Sequence, residues 1–98
     1  MSIGCELHAV ADKYNDERAL KIAEEYFETL VDIARDHAST GEYRFTLDRN
    51  KFKYMYEYTS GITPRVIKAL SDMATNNGMQ LLETSTSMYG DILYVIEY

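Results

Sequence analysis

From about Asp16 to Ala38 the apolar residues recur with a helical period. On a wheel of 100° per residue, Ala19, Leu20, Ile22, Ala23, Tyr26, Phe27, Leu30, Val31, Ile33 and Ala34 fill about half the circumference. Glu17, Glu24, Glu25, Glu28, Asp32 and Arg35 fill most of the rest. Asn15 or Asp16 can cap the start, and Ser39-Thr40-Gly41 ends the helix. An apolar arc of about 180° is wider than the ~100° stripe of a helix lying on one sheet. Such a helix packs on two sides, or part of its arc meets another chain. Leu7, Val10, Ala11 and Tyr14 share a face nearly opposite to that of Leu20, Phe27 and Ala34. One straight helix could not bury both sets, so the pattern predicts a short helix at about 5–14 and a break near Asn15. A strand with Ile3, Cys5, Leu7 and Ala9 alternating is the other reading.

The period then changes to two. Glu42–Leu47 alternates as a strand, Asp48–Lys51 is turn-like, and Phe52–Tyr58 alternates again with four aromatics on one face. A hairpin is expected, followed by a loop at Thr59–Gly61. Thr63-Pro64 predicts a helix start, with Val66, Ile67, Leu70, Met73 and Ala74 on one face and Gly78 closing it in the left-handed conformation. Met79–Thr84 reads as a strand, Ser85–Asp91 as a loop, and Ile92–Tyr98 as a strand inside the sheet, being apolar on both faces until Glu97. Lys53–Tyr58 echoes Leu93–Tyr98 in sharing Tyr, Glu and Tyr in register. A duplicated α-β-β half would produce this, but β-forming residues fill any strand, and coincidence is the better reading. The fold expected is one α+β domain over 1–98. It has an antiparallel sheet of three or four strands, two main helices packed on one face, and a short N-terminal helix.

Charge changes this picture. Residues 1–40 hold nine acids and four bases, 41–68 three acids and six bases, and 69–98 four acids and no Lys or Arg, summing to a net −6. Charge sorted this way sets partner choice and encounter rate rather than fold. Glu24, Glu28, Asp32 and Asp36 stand at successive i+4 positions, with Glu17 one heptad before them. On a helix they form a ridge spaced ~6 Å. Its common role is a solvated face; its functional role is a row of carboxylates that meets a basic surface, with a spacing comparable to phosphates along a nucleic-acid strand.

The central patch suggests the opposite partner. Arg44, Arg49, Lys51 and Lys53 could take phosphates, while Tyr54 and Tyr56 stack bases. If those rings face the helices they are core instead, and the net −6 opposes nucleic acid at long range.

Chemistry is otherwise sparse. One Cys and two His are too few for a structural zinc site without carboxylates. Cys5 with His8 or His37 is a conceivable thiolate pair, but no nucleophile turn or phosphate loop accompanies it. No cofactor or metal is implied, and no enzyme. The lone cysteine fits a reducing, cytoplasmic setting, and neither a signal peptide nor a bilayer-spanning run is evident. The expected role is a small acidic interaction module, in its sharper form a phage- or virus-type inhibitor that occludes a partner's basic nucleic-acid-binding surface. The alternatives are a single-strand nucleic-acid binder using the Tyr-rich hairpin, and a structural homo-oligomer in which some of Tyr26, Ile33, Leu7 and Val10 meet a second copy.

Overall fold

The computed structural model describes residues 2–57, 61–85 and 92–98. In chain order these form helix α1 (Ile3–Ser39), strand β1 (Arg44–Thr46), short helix α2 (Lys53–Tyr56), helix α3 (Ile62–Asn76), and strands β2 (Gln80–Ser85) and β3 (Ile92–Glu97). The α+β class stands, with two main helices against an antiparallel sheet of order β1-β3-β2.

The expected break near Asn15 is absent. The N-terminal helix and the Asp16–Ala38 helix are one element of 37 residues. No Pro or Gly interrupts residues 5–40, so nothing local opposes continuity. The two out-of-phase apolar faces are reconciled differently: one is buried and the other is left in solvent. Ser2 caps the start by accepting from the Cys5 N–H at 3.3 Å. At the other end Gly41 takes φ +85°, which only glycine adopts without strain. At ~1.5 Å per residue, α1 accounts for the full 56 Å long axis of the molecule. The radius of gyration, 15.5 Å, exceeds the ~13 Å of a compact domain of this length.

The expected hairpin is also replaced. Its first strand survives as β1, but the segment after the turn does not form a second one: Lys53–Tyr56 is helical, and Glu57 caps its C-terminal end. The strand expected there ran over Phe52–Tyr58, whose last residue lies outside the described ones, as do most of the Thr59–Gly61 and Ser85–Asp91 loops. The reason for the helix lies in the turn before it. Asp48 accepts from the Asn50 N–H through its side chain at 3.0 Å, and from the Lys51 and Phe52 N–H groups through its carbonyl at 3.2 and 3.0 Å. The chain therefore coils inward, and Phe52 and Met55, three apart, become buried. Alternation had put the aromatics on one face; the helix separates them. With no second strand in Lys53–Tyr56, the echo between that segment and β3 has no structural counterpart.

Helix α3 begins at Ile62, two residues before the proline of the expected Thr63-Pro64 signal. Gly61 is its N-cap, at φ +79°. Pro64 still falls in the first turn, where its missing N–H is not needed. The Thr63 hydroxyl donates to the Glu57 carbonyl at 2.8 Å. Gly78 closes the helix at φ +76°, as its position predicts.

β3 is the central strand, antiparallel to both neighbours, with Phe45 and Leu81 opposite Ile96 and with Thr46 and Leu82 opposite Val95. Tyr94 and Ile96 are buried; Leu93 and Val95, on the other face, are only half-buried. The helices thus cover one side of the sheet. The core joins Ala19, Ala23, Leu30 and Ala34 of α1 to Val66, Leu70 and Ala74 of α3, with Phe52 and Leu47 closing the end. Most of the wide arc of α1 is covered within the chain: Tyr26 meets Phe52 edge-on at 5.0 Å, and Ile33 is packed against the core, while Leu20 stays exposed.

Candidate functional site

The outer face of α1 is turned away from α3 and the sheet and carries the acidic row. Glu17, Glu24, Glu28, Asp32 and Asp36 are all exposed there, on one uninterrupted helix. The row from Glu24 to Asp36 spans ~18 Å. Among the described residues none of the five forms an ion pair. Lys21 and Arg35 are exposed nearby without closing onto them. A shallow groove beside the row is lined by Phe27, Glu28, Val31, Asp32 and Arg35, so half-buried apolar side chains border the carboxylates. This apolar border was not legible as such, because Phe27 and Val31 read simply as core.

The basic residues of the central segment do not gather into one surface. Arg44 lies on the sheet, 3.6 Å from Glu97. Arg49 and Lys51 are in the turn, and Lys53 opens α2; all three are exposed. Tyr54 and Tyr56 are half-buried. One face of each ring is covered by a guanidinium, Arg18 over Tyr54 at 5.9 Å and Arg49 over Tyr56 at 5.1 Å. Tyr56 has a structural part as well. Its hydroxyl donates to the Leu47 carbonyl at 2.8 Å and accepts from the Tyr94 N–H at 3.2 Å. It bridges the chain to β3 just past the end of β1. The Tyr26 hydroxyl accepts from the Tyr54 N–H at 2.9 Å, and burial raises the Tyr26 pKa.

At the C-terminal end of α1, His37 stacks on Phe45 and contacts the Glu42 carboxylate through Nδ1. The Tyr98 hydroxyl donates to the Glu42 carbonyl at 2.9 Å. The thiol that could have paired with His37 is remote, since Cys5 is ~48 Å away along the helix axis, and the nearby Ser39 and Thr40 hydroxyls donate to the Asp36 and His37 carbonyls. Cys5 is exposed, and His8 turns instead to Asp12 at 3.1 Å. Among the described residues no three His, Cys, Asp or Glu side chains converge as a metal site would require, and no helix is long and apolar enough to cross a membrane.

A second feature of α1 lies toward its start. Arg65, in the first turn of α3, donates from Nη2 to Asp12 Oδ1 at 2.8 Å, and from Nη1 to Asp16 Oδ1 at 2.7 Å and the Asp12 carbonyl at 3.0 Å. This hydrogen bonding lowers the Asp12 pKa and raises that of Arg65. Before Asp12, every residue from Ser2 to Ala11 is exposed. Ile3, Leu7, Val10 and Tyr14 are 75, 64, 67 and 64% exposed. Leu7 and Val10 were expected at a contact; Ile3 and Tyr14 join them because the helix is continuous. The signal was the phase mismatch itself. Compared with known protein families, with characterised proteins and with solved structures, the chain matches none.

Proposed function

We propose that this chain is a non-enzymatic interaction module that lays the acidic outer face of α1 on a basic surface of another protein. The observation that carries the reading is the row Glu24, Glu28, Asp32 and Asp36, exposed at successive turns and without an ion pair among the described residues. Like charges at i,i+4 cost each pair ~0.2–0.5 kcal/mol, and a cationic partner would reverse that cost. The bordering Phe27 and Val31 supply the apolar component that a protein contact needs beside its charged rim. In its finer form the partner's surface is one that otherwise binds nucleic acid, since the carboxylates repeat at ~6 Å along one gently inclined ridge.

The test is competition. Purified chain is titrated into complexes of labelled duplex DNA with a set of basic DNA-binding proteins. Displacement that weakens with salt is expected, and the E24K/E28K/D32K/D36K variant should lose about 2–5 kcal/mol of affinity while keeping its circular dichroism. A variant that displaces DNA as well as the parent would remove the reading, as would the parent binding the free duplex itself.

A further inference from the structure

The outer face of α1 changes chemistry at Tyr14. Ile3, Leu7, Val10 and Tyr14 recur at intervals of four, three and four residues. That is the a/d spacing of a coiled-coil seam over two heptads. The next positions of the same seam are Glu17, Lys21, Glu24 and Glu28. Asp12 and Asp16, which hold Arg65, lie on the opposite side of the helix, so α3 does not obstruct the apolar stripe. A free helical arm of this length is marginal in water without tertiary cover.

The geometry points to a second copy of this chain as the cover, with the two arms antiparallel about a twofold axis between His8 and Ala9. That register sets Ile3 against the partner's Tyr14 and Leu7 against the partner's Val10, twice over. Glu6 and Lys13 flank the seam on one side, and the same dyad brings Glu6 beside the partner's Lys13. Gly4 and Ala11 flank the other side, where the absence of long side chains allows close approach. Charge selects this orientation. A parallel pair would oppose Glu17, Glu24 and Glu28 to their own copies. In the antiparallel pair the acidic rows lie outside the overlap, and Glu17 falls near the positive end of the partner's helix. The four apolar residues expose on the order of 500 Å² per copy, below the ~800 Å² per partner of a standard interface, so the dimer is weak and concentration-dependent.

Sedimentation equilibrium on the full chain, with Cys5→Ser to exclude disulfides, tests this. The mass should rise from 11.3 kDa toward twice that value between roughly 10 µM and 1 mM. Leu7→Glu and Val10→Glu should each hold it at the monomer value, with the circular dichroism of the body unchanged because both side chains are exposed. Glu6→Lys or Lys13→Glu alone should weaken association by roughly tenfold, and the two together should restore it. A constant monomer mass over that range would overturn the proposal. So would association that survives Leu7→Glu, or a double charge swap that restores nothing.

Discussion

The two ends of α1 differ in what surrounds them, not in how they are built. Residues 3–14 and 19–34 both carry apolar residues at helical spacing, yet the first stripe is exposed and the second holds Ala19, Ala23, Leu30 and Ala34 in the core. The boundary is the Arg65 clamp on Asp12 and Asp16. The clamp sits at the first turn of α3, and on its N-terminal side none of the described residues covers α1. The comparison teaches that an apolar stripe records the need for cover without saying which molecule provides it. It also separates two kinds of surface on one rod: an apolar arm and an acidic shaft.

The largest contrast should come from removing each terminus. Deleting Ile92–Tyr98 removes the strand that pairs on both sides, along with buried Tyr94 and Ile96. Each buried side chain contributes ~1.5–3 kcal/mol, and the total approaches the ~5–15 kcal/mol stability of a small domain. That truncation should be unfolded, whereas deleting residues 1–10 should leave a cooperative thermal transition at low protein concentration. A cooperative transition in both would mean that β3 is peripheral.

Single substitutions should reproduce the contrast on a smaller scale. Leu30→Ala should cost about 2–5 kcal/mol in denaturant unfolding, and Leu7→Ala under ~0.5 kcal/mol when measured well below the concentration at which arms pair. Equal costs would place Leu7 in a packed site. Hydrogen exchange sharpens the same point: amides of 19–34 should be protected at any concentration, and those of 3–11 only as concentration rises.

Tyr56→Phe should cost ~1–3 kcal/mol, because the Leu47 carbonyl and the Tyr94 N–H lose a shared partner. An unchanged midpoint would show that water replaces the hydroxyl.

The smallest effect belongs to the clamp. Asp12 has its pKa lowered chiefly by the hydrogen bond from Arg65. A depressed native pKa means that its contribution is complete above the unfolded value of about 4 and is lost as pH falls through the native one. The thermal midpoints of the parent and Asp12→Asn should therefore differ slightly at neutral pH and low salt, and converge in acid. A gap that persists under strongly acidic conditions would assign the effect to packing.

What could be read from the chain was what local pattern determines. The Asp16–Ala38 helix, the glycine at 78, the central position of β3 and the exposure of the acidic row all follow from period, cap residues and polarity. The misplaced break at Asn15 came from requiring every apolar face to be buried by the same chain. The misplaced strand at Phe52–Tyr58 came from alternating aromatics whose actual partners are remote: Tyr26 meets Tyr54 across 28 residues, and Tyr56 meets Tyr94 across 38. Arg65 reaches Asp12 across 53. Contacts at such separations leave no periodic trace, so nothing in the sequence pattern marks the clamp; the groove beside Val31 is local to α1, but its Phe27 and Val31 carry the same apolar signal as core residues.

The continuity of α1 has one more consequence. A rod without a hinge is a ruler. With the arms joined about the axis beside His8, the centres of the two acidic rows sit ~32 Å from that axis on either side, hence ~65 Å apart. The twofold axis turns the two rows to face opposite ways, so a partner carrying two basic sites at that span, turned toward each other, would engage both rows at once, and the second contact would form at the effective concentration set by the first. Assemblies with sites at other spacings would see only one row at a time. Length, fixed by 37 hydrogen-bonded residues, would then choose among partners that charge alone treats alike.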